Sequence, residues 1–259
     1  MFGEPLRRRS EDKERAAHFR RGAYLLPSMF TIGNLFCGYA CIVFAMRGEF
    51  HTAAPFIGIA FIMDALDGRI ARMTGATSAF GLQLDSLADV ISFGMAPAIL
   101  SFAWGLHELG RWGWAVGFLF VAAAALRLAR FNIQTTVAPD KRYFVGMPSP
   151  AAAAVPAATV FAWPYRIEDW WTAWLVIPVV VVPAVLMVST VRFRSFKDLN
   201  LGWRRSYMPL FLIVLVIVAV AAEPRIMLAV CAYAYLLSAF LGLGLARVRR
   251  KPPASAPLP

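Results

Sequence analysis

The chain has 259 residues, of which 59% are hydrophobic and 16% charged, and its mean hydropathy is +0.61. A soluble domain of this size carries about 25% charged residues, so the composition excludes one and indicates a membrane protein. The net charge of +11 falls on residues that border apolar runs, which points to topology and anionic lipid rather than to nucleic acid as a partner.

Residues 1–27 form a basic segment with Arg7, Arg8, Arg9, Lys13, Arg15, Arg20 and Arg21, and the first apolar run covers 28–46. The long charged region, the lack of an A-x-A-like site and the many runs that follow favour a retained helix over a cleaved signal peptide. Further runs lie near 52–73, 85–106, 112–132, 148–165, 170–191, 207–222 and 226–246. A bilayer crossing takes roughly 20 apolar residues, so the expected fold is all-α, a polytopic integral membrane helical bundle of about eight transmembrane helices. The fifth run is short and broken by Pro150 and Pro156, and the third is dented by two aspartates. A basic loop at 192–206 precedes two C-terminal helices within 207–246, and 247–259, ending KPPASAPLP, reads as a disordered Pro-rich tail.

The basic residues test this count, because cytoplasmic segments near helix ends retain an excess of them. Threading eight helices puts the seven N-terminal charges on one side with Arg69, Arg72, Arg127, Arg130, Lys141, Arg142, Arg192, Arg194, Lys197, Arg204, Arg205, Arg247, Arg249, Arg250 and Lys251. The other side keeps only Arg47, Arg111, Arg166 and Arg225. An error of one helix would scramble that asymmetry, so both termini are expected in the cytoplasm and the protein in the cytoplasmic membrane. Cys37, Cys41 and Cys231 sit in apolar runs and read as small buried hydrophobes. His18, His51 and His107 are scattered and receive no site. Trp112, Trp114, Trp163, Trp170 and Trp171 fall at span ends and read as interfacial belts.

Chemistry concentrates in MDALDGRIARMTGATSAFGLQLDSLADVISFG. Asp64 and Asp67 come late in the second helix, and Asp85 and Asp89 early in the third. Spacings of three and four residues place each pair on one helix face, and the short connection brings both pairs to similar depth near one surface. Ionisable residues there are costly and usually mark a site. Four clustered carboxylates repel one another unless cations or protons neutralise them, and hard divalent cations with oxygen ligands, Mg²⁺ or Mn²⁺, suit them. Two such ions can clamp a pyrophosphate and favour departure of a phosphorylated leaving group. Arg69 or Arg72 can add charge to phosphate oxygens, and Gly68 and Gly81 let a bulky headgroup approach the backbone. The plainer alternative has these acids as helix-terminal groups facing interfacial water and paired with Arg69 and Arg72.

Asp64, Asp67, Gly68, Ala71, Arg72, Gly81, Asp85 and Asp89 spell D-x2-D-G-x2-A-R-x8-G-x3-D-x3-D. At average residue usage a chance match at a given start is on the order of 10⁻¹⁰. This pattern resembles the signature of the CDP-alcohol phosphatidyltransferases, which move a phosphatidyl group from a CDP-linked lipid to a hydroxyl and release CMP. TIGNLFCG, ISFGMAPA, ALRLARFN and GMPSPAAA, within roughly 28–160, are similar to segments of the phosphatidylserine synthase branch. The resemblance implies a six-helix core at 28–191 with two added helices, divalent metal, CDP-diacylglycerol and L-serine as substrates, and a homodimer. It implies Asp64, Asp67 and Asp85 as main metal ligands, with Asp89 completing a second ion and acting as general base. Gly68, Ala71, Arg72 and Gly81, with Thr31 and Asn34, are the expected CDP-lipid residues, the alternative for Thr31 and Asn34 being polar links between helices.

Arg127 and Arg130 share a helix face and precede Asn132. Guanidinium groups suit bidentate binding of a carboxylate, which a serine acceptor carries, so the three are expected to bind the acceptor. The alternative is an anchor pair on lipid phosphate. Other acceptors stay open, glycerol 3-phosphate or an inositol compound, with Lys141 and Arg142 available for a phosphorylated one. A cation transporter is the rival from another class, and the location of all four acids near one face, with no second acidic cluster, weighs against it.

Overall fold

A computed structural model describes residues 28–74, 78–137, 144–189, 192–193 and 208–248. The basic segment at 1–27, Lys141 and Arg142, nearly all of the loop expected at 192–206, and the tail from 249 lie outside the described residues. Helix α1, Ser28–Met46, leads through Gly48 at φ 78° into α2, Phe50–Thr74. Helix α3 runs Ala79–Trp104 and α4 Arg111–Val137. After strand β1, Phe144–Val145, come α5, Ser149–Ala162, and α6, Trp170–Val188. Strand β2, Arg192–Phe193, pairs antiparallel with β1, Phe144 opposite Phe193 and Val145 opposite Arg192. Helices α7, Met208–Ala222, and α8, Pro224–Val248, complete the described chain.

The described residues are therefore predominantly helical, with one two-residue strand pairing, and built for a membrane. Among the described residues four helical stretches are long and apolar enough to cross one: α1, α3, residues 111–133 of α4, and α6. Helix α2 matches them in length but carries Asp64, Asp67, Arg69 and Arg72 in its last turns. The 14 residues of α5 rise only about 21 Å, short of the ~30 Å hydrocarbon layer. The expected tryptophans, Trp112, Trp114, Trp163, Trp170 and Trp171, are all exposed.

Three sequence expectations change. Helix α3 starts well before residue 85 because Ser78 caps it, its Oγ accepting the Gly81 N–H at 2.9 Å. Helix α5 is short but unbroken: Pro150 lies in the first turn, where no backbone donor is required, and Pro156 is accommodated inside. Cys37 and Cys41 are buried as expected, but Cys231 is exposed, because it lies on an outward face of α8.

Small residues let the helices approach closely. Helix α5 sits at the centre, packed by α2, α3, α4, α6 and α8, and buries Ala152, Ala153, Val155, Ala157 and Val160. Within α3, Val90–Met95 forms a π-helical turn immediately after Asp89, a local widening often found at functional sites. It is gripped from two sides. A Cβ on Gly38 of α1 would lie 2.5 Å from Ser92 Oγ and 2.8 Å from its Cα, and one on Gly94 would lie 3.1 Å from the Ala124 Cβ of α4. Ser92 Oγ also donates to the Asn34 carbonyl at 2.9 Å, locking α1 to the π turn.

That grip yields a test. Gly38→Ala forces α1 away from Ser92 backbone that cannot yield, at a cost of about 1–3 kcal/mol for overpacking. The midpoint of thermal unfolding in detergent should fall by several degrees. An unchanged midpoint would mean that the two helices do not meet this closely.

Candidate functional site

Helix α2 ends and α3 begins at the same end of the bundle, and their facing surfaces bring three carboxylates together. One oxygen from each of Asp64, Asp67 and Asp85 lies within 4.8 Å of the others. Two unit negative charges at that separation repel by about 3.5 kcal/mol at an effective dielectric of ~20. Asp67 is buried at 5% exposure, while Asp64 and Asp85 are half-buried. Among the described residues neither Arg69 nor Arg72 makes an ion pair with these acids, which removes the plainer reading of Arg-paired helix ends. Asp85 Oδ1 is buried without a hydrogen-bond partner, a state that costs on the order of 1–3 kcal/mol unless something fills it. An all-oxygen, multiply anionic donor set with an unsatisfied buried oxygen fits a hard divalent cation.

Asp89 is not among those three grouped oxygens, though all three acids act on it electrostatically, and it has a different hydrogen-bond partner. The Asn34 Nδ2 of α1 donates to its Oδ1 at 3.2 Å, and Asn34 is itself 0% exposed. Thr31, one turn earlier on α1, donates its hydroxyl to Asp67 Oδ2 at 3.0 Å. Helix α1 thus holds one acid of each pair, through residues three apart on its buried face. These contacts are links between helices and contacts to the acidic site at once. The Asn34 Oδ1 has no partner. Gly68 lies under the Arg72 guanidinium, whose nitrogens would be 3.8 and 4.0 Å from a Cβ there. Gly81 is in the capped first turn of α3, and Ala71 is half-buried on α2.

On the opposite wall, Arg127 of α4 is the cation that faces the acids, and its charge acts on both Asp64 and Asp89. Its Nη1 donates to Ser149 Oγ at 2.5 Å, and the guanidinium carbon lies 5.7 Å from the Phe131 ring centroid, within cation–π range. Asn132 Nδ2 donates to Ser86 Oγ at 2.9 Å, tying α4 to the turn of α3 that carries Asp85. Arg130 is half-buried on the same helix.

Three polar residues join the site without having been expected there. Ser149 opens α5 and is fully buried; Ser86 sits between Asp85 and Asp89; Tyr235 of α8 interacts electrostatically with Arg127. Ser86 could have been inferred from its neighbours in the motif. Ser149 lay in the GMPSPAAA segment, which carried the branch resemblance but no role for the serine, and Tyr235 had no such signal, since only the packing of α8 brings it in.

A profile described as CDP-alcohol phosphatidyltransferase matches residues 24–185, the stretch that contains α1 to α5 and most of α6. The chain is 40% identical over 194 residues to the CDP-diacylglycerol--serine O-phosphatidyltransferase of Helicobacter pylori (strain ATCC 700392 / 26695), covering 74% of this chain and 79% of the relative. It is 34% identical over 228 residues to the protein of the same description from Mycobacterium tuberculosis (strain ATCC 25618 / H37Rv), covering 84% and 78%. An archaetidylserine synthase of Methanothermobacter thermautotrophicus is 32% identical over 170 residues, covering 65% and 69%.

The carboxylate trio makes a direct prediction. Purified protein in detergent should bind Mn²⁺, read from loss of the free-ion EPR signal, and Asp85→Asn should weaken that binding at least tenfold (roughly 1.4 kcal/mol or more). Thr31→Val, which leaves Asp67 Oδ2 without its donor, should weaken it less, and Thr31→Ser should restore it. Equal Mn²⁺ affinity in Asp85→Asn and the unaltered protein would exclude the trio as a metal centre.

Proposed function

The chain belongs to the CDP-alcohol phosphatidyltransferase family, and on that premise we propose that it transfers the phosphatidyl group of CDP-diacylglycerol to the hydroxyl of L-serine, giving phosphatidylserine and CMP. The relatives described above carry serine as acceptor in their names, and the archaeal one pairs the same acceptor with a different lipid. The observation that carries the reading is the half-buried guanidinium of Arg127 sharing one site with the carboxylate trio. An acceptor with its own carboxylate has a partner there, beside the place where phosphate is held.

Asp64, Asp67 and Asp85 hold divalent metal, Mg²⁺ or Mn²⁺, with Asp89 completing the site for a second ion. Metal bound there supplies Lewis-acid polarisation of the phosphorus and neutralises charge on the departing CMP. The protein's own groups do the rest. Arg72, above Gly68, and the first turn of α3 at Gly81 receive the CDP moiety together with Ala71, while Thr31 and Asn34 orient Asp67 and Asp89 from the α1 side. Arg127 binds the serine carboxylate, with Arg130 and Asn132 completing the acceptor wall. Asp89 takes the proton from the serine hydroxyl as its oxygen forms the new bond to phosphorus and the bond to CMP oxygen breaks. The Asn34 amide, bound to one oxygen of Asp89, fixes the carboxylate's orientation for that transfer.

The finer architecture belongs to the same proposal. Eight passes cross the cytoplasmic membrane, the fifth made by α5 together with the non-helical residues on either side of it, with α1 to α6 as the family core at 28–191 and the last two helices as an addition. Both termini and the site face the cytoplasm, where CDP-lipid and serine meet. The excess of Lys and Arg on that side supports this orientation, and the family resemblance supports a homodimer.

Three measurements test this. CMP release from CDP-diacylglycerol should be fastest with serine, and slow with ethanolamine, which keeps the hydroxyl and amine but lacks the carboxylate. Equal rates with the two, or faster transfer to glycerol 3-phosphate or an inositol compound, would overturn the serine assignment. Asp89→Asn should keep CDP-diacylglycerol binding and lose transfer by at least 100-fold, the ordinary contribution of a general base; normal turnover would remove it as the base. For topology, reporter fusions after Met73 and Arg142 should read cytoplasmic and one after Arg166 external, and a cytoplasmic signal at Arg166 would break the eight-span arrangement.

A further inference from the structure

We infer that Ser149 is a positioning residue for acceptor selection, its buried hydroxyl fixing the Arg127 guanidinium in the pose that receives the acceptor's carboxylate. The inference rests on the assignment of Arg127 to the acceptor and adds what holds that group in place.

A free arginine side chain samples many rotamers, and a recognition group that must be ordered on binding loses affinity to that ordering. Here the guanidinium is ordered beforehand. Ser149 Oγ accepts from Nη1, and the Phe131 ring stacks near the guanidinium carbon. Asp64 and Asp89 attract it from the acidic side, and Tyr235 of α8 also faces it, but α8 lies beyond the matched family region, residues 24–185. The Ser149 contact lies within that region.

Ser149 is placed by the backbone rather than by a choice of rotamer. Gly146 adopts φ +89°, a conformation that L side chains rarely take, and a Cβ there would collide with the Met187 carbonyl at the end of α6. The next residue, Met147, is fully buried and donates its N–H to the Leu186 carbonyl at 3.0 Å. These contacts fix the chain three and two residues before Ser149. The segment GMPSP therefore carries α6 geometry into α5, and α5 hands it to Arg127 on α4. The hydroxyl is 0% exposed, so it acts on substrate through Arg127 and not by touching it.

An anionic oxygen at Arg127 can come from the acceptor carboxylate or from the diphosphate of the lipid donor, and kinetics separate the two. Steady-state rates should be measured for Ser149→Ala, Ser149→Thr, Ser149→Cys, Arg127→Lys and the double variant Arg127→Lys/Ser149→Ala, varying serine and CDP-diacylglycerol in turn. Ser149→Ala should raise the KM for serine about tenfold, with kcat and the KM for CDP-diacylglycerol changed less than twofold. Ser149→Thr should restore the serine KM. The double variant should be no worse than Arg127→Lys alone, because both act through one group. A larger effect on the CDP-diacylglycerol KM, a Thr variant as impaired as Ala, or additive losses in the double variant would each overturn the inference. If Arg127→Lys raises the serine KM and Ser149→Ala does not, only the positioning role fails; if Arg127→Lys leaves it unchanged, the acceptor assignment itself fails. Should Ser149→Ala lose nucleotide-lipid binding through misfolding, the isosteric Ser149→Cys carries the same comparison.

Discussion

Mutual repulsion among four aspartates at one end of an apolar bundle is the constraint to which the rest of the structure answers. Each pair within the trio of Asp64, Asp67 and Asp85 repels by several kcal/mol at the distances observed, comparable to a sizeable part of the net stability of a typical protein. Such an arrangement persists only if other groups hold the acids in place and a cation compensates them. Thr31 and Asn34 on α1 supply the first, each bonding one acid. Arg127 supplies part of the second, and the carboxylate trio forms a cluster that could hold a divalent ion for the remainder. The unpartnered Asp85 Oδ1 is the local mark of a charge that the protein alone leaves unanswered.

Holding the acids this closely requires helices that approach to near backbone contact, and the small residues sit where this is needed. Gly38 against Ser92, and Gly94 against Ala124, clamp the π turn that follows Asp89. The Ser92 hydroxyl then fixes the Asn34 carbonyl, so the residue that orients Asp89 is itself oriented by the turn after Asp89. Packing and electrostatics are one device here, because a shift of α1 would release both acids together.

The opposite wall is built by different means. Helix α5 by itself is shorter than a bilayer crossing, and the non-helical residues just before it find backbone partners within the protein, as the Met147 N–H on the Leu186 carbonyl illustrates. Non-helical backbone at membrane depth is tolerated where protein buries it. The consequence is that the first turn of α5 points a polar residue, Ser149, into the site from a place where an ordinary spanning helix would have continued. At the other end of the bundle, Trp104 of α3 donates its Nε1–H to the carbonyls of Trp163 and Tyr165, fastening the turn between α5 and α6 far from the chemistry.

The sequence by itself determined the element list and the acidic site. Apolar run length marks helices in a membrane because unpaired backbone cannot be left in hydrocarbon; each expected apolar run has a helical counterpart among the described residues, and four of these are long and apolar enough to cross a membrane. The aspartates were legible because charge inside an apolar run is costly enough to require a reason, and their spacing put them on shared faces. The tertiary structure decided what depends on contacts between segments distant in the chain: that Thr31 takes Asp67 and Asn34 takes Asp89, that Arg127 faces the acids, and that Ser149 reaches Arg127. It also decided the local departures, the π turn in α3, the early start of that helix at the Ser78 cap and the outward turn of Cys231. Hydrophobicity along one segment sets whether it is a helix, but rotation about the helix axis, and so the partner each side chain meets, is fixed only when neighbouring helices interlock through their small residues.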